Sequence, residues 1–221
     1  MKKLTYYYLN TRKKEAVVLI TLSVFCFLLL LIRAKVTQSV FFFFLVWNLV
    51  LGAIPYLISS FLITSVSLQE KKGLRIGVLL LWLLFFPNSF YIITDFFHLN
   101  KFQTVPVWYD LIVVSSFAIT GFLFGLYSLF TIEKILTLHY SKKISQFLIF
   151  MILYLTAFGI YLGRFLRFNS WDILTNPMQL VFSCCESLFI REVQHFTLGF
   201  GTFLLLIYFV ASTTFSSNKN F

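Results

Sequence analysis

Residues 87–99 read Pro87-Asn88-Ser89-Phe90-Tyr91-Ile92-Ile93-Thr94-Asp95-Phe96-Phe97-His98-Leu99, and they follow the unbroken apolar run Val78–Phe86. An amide, an acid and an imidazole at the end of such a run need a physical reason, because polar groups are costly in an apolar setting unless they are partnered. At 3.6 residues per turn, Asn88, Tyr91, Asp95 and His98 share one helical stripe, while Phe90, Ile93, Phe96 and Phe97 point elsewhere. This spacing predicts a polar seam on a helix of a membrane protein. Pro87 cannot donate a backbone hydrogen bond, which predicts a kink or break there, with Asn88 placed to supply replacement bonding.

The rest of the chain agrees with a membrane setting. Of its 221 residues 59% are apolar, 30 are Phe and only 12% are charged. A soluble domain carries about a quarter charged residues, so an ordinary soluble fold is excluded. Apolar runs near the length of a bilayer crossing recur along the chain. They predict an all-α, polytopic bundle in a single transmembrane domain over 1–221. The expected spans are 16–32, 39–63, 74–94, 108–132, 144–162 and 196–215. The first run is basic on both flanks and has no small-x-small exit site, so it reads as a retained span rather than a cleaved leader. Between the fifth and sixth spans, Asn176-Pro177 reads as a helix N-cap and first turn. Met178, Val181, Phe182, Cys185, Leu188 and Phe189 then form an apolar stripe opposed by Gln179, Ser183 and Glu186. That pattern predicts a helix over about 177–190 lying in the membrane interface. Within the fourth span Gly121 and Gly125 form a small-x-x-x-small pair, which predicts close helix contact.

The net charge of +10 does not point to nucleic acid. Twelve of the 18 Lys and Arg fall in the N-terminal segment, the second and fourth loops and the tail. The positive-inside rule then puts both termini in the cytoplasm and sends the other loops outward. Asp95, Asp110 and Asp172 gather on that outer side with Glu186, Glu192, His98 and His195. Cys26, Cys184 and Cys185 show no metal-ligand spacing; Cys26 reads as a small packed residue of its span, and the vicinal pair Cys184-Cys185 reads as two free thiols in preference to a strained ring disulfide. Membrane lipids are therefore the expected partners, and no cofactor is expected.

Three chemistries fit the outer cluster. Asp95 and His98, one turn apart, suit general acid–base work or, with Asp110, Asp172 or His195 completing the set, a metal ion. Arg164 and Arg167, also one turn apart, suit a clamp on a lipid phosphate or a carboxylate. The same arginines suit a structural latch to Asp95, Asp110 or Asp172, since charges near a membrane interior need partners. Trp108, Tyr109, Trp171 and Tyr91 read as interfacial aromatics. Asn169-Ser170-Trp171-Asp172 reads as a turn closed by its own short polar side chains. Asn48 and Pro55 share a face of the second span and mark a kink. Hydrolase, metalloprotease and nucleotide-binding motifs are missing.

Three separated motifs stand in order: Trp82-x4-Pro87-Asn88-x2-Tyr91-x2-Thr94-Asp95-x2-His98-Leu99, then Pro106-x-Trp108-Tyr109-Asp110, then Gly163-Arg164-Phe165-x-Arg167-x-Asn169-Ser170-Trp171-Asp172. Together they resemble the bacterial membrane family catalogued as domain of unknown function 1361, over roughly residues 45–210. Phe168 stands where the pattern suggests a Trp or similar aromatic. The resemblance implies a polytopic protein of a bacterial inner membrane and supplies no reaction. The candidate binding residues are then Asn88, Tyr91, Asp95, His98, Asp110, Arg164, Arg167, Asn169, Trp171 and Asp172. Their expected ligand is an anionic headgroup, a lipid-linked precursor or a partner protein. An outer-leaflet enzyme using Asp95 and His98, or a small-solute transporter, are the alternatives.

Overall fold

A computed structural model of the protein describes residues 2–99 and 105–217; the side chains of residues 2–11, 98, 174 and 215–217 lie outside the description. His98 is therefore placed by its backbone alone, and Lys101 and Lys219 lie outside the described residues. Among the described residues every regular element is helical. Six helical stretches are long and apolar enough to cross a membrane: Arg12–Thr37, Phe41–Thr64, Lys72–Phe97, Val107–His139, Lys142–Arg164 and Arg191–Thr214. They match the six spans expected from sequence. The first, third, fourth and fifth extend beyond their apolar runs at both ends, where basic flanking residues such as Arg12, Lys72 and Lys142 continue the helix. The chain divides into two compact units, residues 1–131 and 132–221, and the division falls inside one long helix.

The first unit contains α1 (Lys2–Thr37), a 3-10 turn (Phe41–Phe43), α2 (Phe44–Thr64), α3 (Val66–Glu70), α4 (Lys72–Phe85), α5 (Pro87–Tyr91), a 3-10 segment (Ile92–His98) and most of α6 (Val107–His139). The break expected at Pro87 is present. Phe86 is the cap between α4 and α5, and Pro87 opens α5 at a position that needs no amide donor. Ser89 N–H bonds back to Phe86 O at 3.2 Å. That shorter loop leaves Phe85 O for the side chain of Asn88, whose Nδ2 donates to it at 3.0 Å. Asn88 thus repairs the break that Pro87 makes. α2 instead runs on through Pro55.

The break seats α5 between two glycine-bearing backbones. Ser89 Oγ donates to Gly52 O of α2 at 2.7 Å. A Cβ at Gly121 of α6 would lie 2.7 Å from Ile92 Cδ1, and one at Gly125 would lie 2.5 Å from the Phe90 ring. The Gly121–Gly125 pair therefore makes the close contact its spacing predicts, and its partner is the 87–99 segment itself. Above this seat Trp82 Nε1 donates to Ser128 Oγ at 2.6 Å, and Ser128 Oγ donates to Ser59 Oγ at 3.2 Å. This buried relay joins α4, α6 and α2 in apolar surroundings, where a satisfied polar chain fixes one arrangement of helices.

The second unit holds the rest of α6 with α7 (Lys142–Arg164), α8 (Asp172–Thr175), α9 (Pro177–Ser187) and α10 (Arg191–Ser217). α7 packs on α10. Gly201 admits the Tyr154 ring, whose Oη is hydrogen-bonded to Thr202 Oγ1 at 3.0 Å. Tyr161, Phe165, Phe196 and Phe200 continue the contact as an aromatic stack. α9 starts at Asn176-Pro177, where the sequence places a helix start. Its apolar stripe is uncovered among the described residues: Met178 is 83% exposed and Phe182 70%, with Phe189, just past the helix end, at 84%.

The glycine seats give a paired test. Gly125→Leu must displace Phe90, so it should lower stability by about 1–3 kcal/mol, the usual cost of overpacking a filled core. Gly199→Leu on α10, where a Cβ meets nothing within 4 Å, should be neutral or stabilising. Thermal unfolding of both purified variants in detergent checks the contrast.

Candidate functional site

Asp95 and Asp110 lie at one end of the first unit, reached by the last turns of α1, the first turns of α2, the 3-10 segment after α5 and the start of α6. Asp110 is 4% exposed and Arg33 only 1%. Arg33 Nε donates to Asp110 Oδ1 at 2.6 Å and Nη2 donates to Oδ2 at 3.1 Å. The planar fork thus meets both carboxylate oxygens at once, the strongest form of this pair. The guanidinium carbon lies 4.1 Å from the centre of the Phe42 ring, so the cation is also stacked on an aromatic face. Two further contacts join α1 to α6: Tyr109 Oη donates to Leu29 O at 3.0 Å, and Cys26 Sγ meets Thr120 Oγ1 at 3.3 Å.

The latch expected for Asp110 therefore exists, with a different partner. Sequence reading offers Arg164 and Arg167 as partners, and Arg33 enters it only among the Lys and Arg of the loops. The helix instead continues through Arg33 to Thr37, which carries the guanidinium back to the level of Asp110. Phe42 belongs to the core at 2% exposure. The signal available in sequence was an Arg directly after the apolar run 16–32, followed at Phe41–Phe44 by aromatic faces able to stack on it.

Asp95 is buried at 1% exposure and accepts from Asn48 Nδ2 at 2.9 Å. Asn48 thereby ties α2 to the 87–99 segment. The stripe read at 3.6 residues per turn divides. Residues 92–98 form a 3-10 segment with three residues per turn, so Asp95 and His98 stay in line by backbone position, while Asn88 serves the Pro87 break. Tyr91 is half-buried, Trp108 is exposed, and among the described residues no group of three His, Cys, Asp or Glu is placed to hold a metal ion.

In the second unit Asp172 closes its own turn. Its Oδ2 accepts the Asn169 N–H at 2.6 Å and its Oδ1 accepts from Thr175 Oγ1 at 3.3 Å. This is the locally satisfied turn read from Asn169–Asp172. Trp171 and Asn169 are exposed beside it. Arg164 is half-buried in the last turn of α7. Arg167 is exposed, with a backbone φ of 60°. Cys184 and Cys185 are free thiols, and burial followed by the neighbouring Cys185 pushes the Cys184 thiol above its ordinary value.

Residues 47–207 match the family described as Protein of unknown function (DUF1361). The chain belongs to this family. The matched segment holds all three motifs, the glycine seats, Asn48, Asp95 and Asp110, while Arg33 and Phe42 precede it. No curated protein and no solved structure matches the chain. The six spanning-length helices give a multi-pass helical membrane architecture, and membership in DUF1361 carries no reaction with it.

Asp110→Ala should destabilise the protein by about 3–5 kcal/mol, because it leaves a buried guanidinium without its counter-charge. Replacing both residues, Arg33→Met with Asp110→Leu, should cost markedly less than the sum of the single changes. A double-mutant cycle measured by thermal unfolding decides this.

Proposed function

We propose that this DUF1361 protein is a membrane-embedded binding protein that takes an anionic lipid headgroup at the Arg164–Asp172 turn. One contrast between two arginines carries the reading. Arg33 is enclosed and bidentate on Asp110. Arg167 is exposed, its side chain meets no acid among the described residues, and its backbone sits in the left-handed region at φ 60°. For a residue with a Cβ that region costs roughly 1–2 kcal/mol. Glycine is the usual choice where a helix ends this way. A charged residue held there against its backbone preference fits a site where the side chain is needed.

The neighbours suit the same ligand. Trp171 and Asn169 flank the turn with an aromatic body and an amide, the kind of pair found at headgroup depth. Guanidinium matches phosphate with two parallel donors. The distribution of Lys and Arg supports an outer-side position for this turn with both termini cytoplasmic, and the family resemblance supports a bacterial inner membrane. On this reading Asp95 and Asp110 of the first unit hold helices together.

Arg167→Gly separates stability from binding. It should raise stability by about 1 kcal/mol by relieving the left-handed backbone. Losing charge-assisted hydrogen bonds of about 1.5–3 kcal/mol should also cut retention of phosphatidylglycerol about tenfold or more. Native mass spectrometry from vesicles of phosphatidylglycerol and phosphatidylcholine reads the retention, with excess inorganic phosphate as competitor. A headgroup site loses lipid in the variant, whereas a site for free phosphate binds the competitor without lipid. Retention unchanged in Arg167→Gly would overturn the reading.

A further inference from the structure

α9 lies in the stretch between two helices of spanning length, Lys142–Arg164 and Arg191–Thr214. The end of the first stands beside the start of the second, with the Tyr161 and Phe165 rings centred 5.5 and 5.7 Å from the Phe196 ring. Both ends of the 165–190 segment are therefore held at one membrane boundary. Hydrogen bonds fix the junction of α9 with α10. Ile190 N–H donates to Ser187 O at 3.1 Å, Gln194 N–H donates to Ile190 O at 3.1 Å, and Gln194 Nε2 donates to Leu188 O at 2.8 Å. α9 is thus tied to the first turn of a span.

Its three sides meet three different surroundings. At about 100° per residue, Leu180, Cys184 and Ser187 share an inner face, with Ser187 only 2% exposed and the other two half-buried. Gln179, Ser183 and Glu186 form one flank. Met178, Val181, Phe182 and Cys185 point away from the inner face, and all four are exposed. A helix covering a bundle in water would turn its polar side outward; here the outward side is apolar and the polar residues are displaced to the flank. A helix lying in the bilayer plane beside a bundle has protein, acyl chains and water around it, and the three faces match those neighbours. The exposed apolar surface runs on through Leu188, Phe189 and Ile190 to Leu198 of α10. Charge adds a further constraint. Residues 177–190 contain no Lys or Arg and one acid, Glu186, whereas in-plane helices that seek anionic lipid carry Lys and Arg on the polar face.

We propose that α9 is an in-plane anchor whose apolar stripe is immersed in the acyl-chain layer just below neutral headgroups, so that its partner is a lipid surface engaged without charge. Burial of apolar area drives the immersion, and the hydrogen-bonded junction with α10 sets its depth. Glu186 disfavours a negatively charged surface, which separates this contact from the anionic headgroup assigned to Arg167. The anchor does not rest on that assignment: it requires only the stripe, the junction and the adjoining spans.

The test uses the full chain in nanodiscs of pure phosphatidylcholine. Nitroxides are attached through Phe182→Cys or Gln179→Cys in a background of Cys26→Ala, Cys184→Ala and Cys185→Ala, and their collisions with oxygen and with a water-soluble nickel chelate are read by electron paramagnetic resonance. Position 182 should collide mainly with oxygen, at a depth of about 5–10 Å below the headgroups, and position 179 mainly with the chelate. Both values should stay the same when phosphatidylglycerol is added and when Arg167→Gly is introduced. Chelate access at position 182 equal to that at 179 overturns the anchor in favour of water, and exclusion of both reagents from 182 overturns it in favour of a protein partner. Immersion that appears only with phosphatidylglycerol overturns the charge-independent contact. The unaltered chain supplies a second measure. Phosphatidylcholine with a diazirine close to the glycerol end of its chain should label the 177–190 peptide on photolysis, and an unlabelled peptide overturns the proposal.

Discussion

A guanidinium taken out of water must find both a counter-charge and hydrogen-bond acceptors, and Arg33 finds them in Asp110 and the Phe42 ring. Much of the first unit is arranged around that demand. α1 continues as a helix through Arg33 to Thr37, and α6 opens with Asp110 in its first turn. Tyr109 and Cys26 add contacts along the same pair of helices. A buried ion pair is a weak source of net stability, since desolvating two charges offsets most of their attraction. Its value here is geometric. Only one register of α1 against α6 brings the fork and the carboxylate edge to edge.

The second constraint is backbone accounting in a medium that cannot hydrogen-bond. Pro87 breaks a ladder, and Asn88 and Ser89 restore it with a side-chain amide and a shorter turn. The displaced segment then fits only where neighbouring helices carry no side chain, at Gly52, Gly121 and Gly125. The break, the repair and the glycine seats are one device spread over three helices. Asp95 follows from it, because the 3-10 continuation after α5 turns the carboxylate to Asn48.

The second unit uses different means. α7 and α10 are joined by rings, with Tyr154 over Gly201 and a run of Phe and Tyr beyond it. Its polar turn is satisfied locally through Asp172, and Arg167 projects from a backbone that a glycine would adopt more readily. The contrast between a saturated arginine in one unit and an exposed one in the other distinguishes a structural charge from a candidate ligand-binding charge.

Hydropathy and spacing alone determined the helical membrane class, the six spans, the break at Pro87, the Gly121–Gly125 contact and the self-closing Asn169–Asp172 turn. Each is local: it depends on run length, on a missing amide, on a missing Cβ, or on side chains within three residues of their partners. Sequence also brought Asp95 and Asp110 forward as polar groups requiring explanation. Their partners were decided only by the tertiary structure. Asn48 and Arg33 lie 47 and 77 residues away, and no periodicity connects positions on different helices. The 87–99 stretch reads as a polar stripe only while it is taken as one uniform helix. Once Pro87 divides it and the glycines admit it, Asn88 serves its own backbone and Asp95 turns to α2. Which polar group is structural and which is open to a ligand is a property of packing, because it depends on what the other helices bring to the same level.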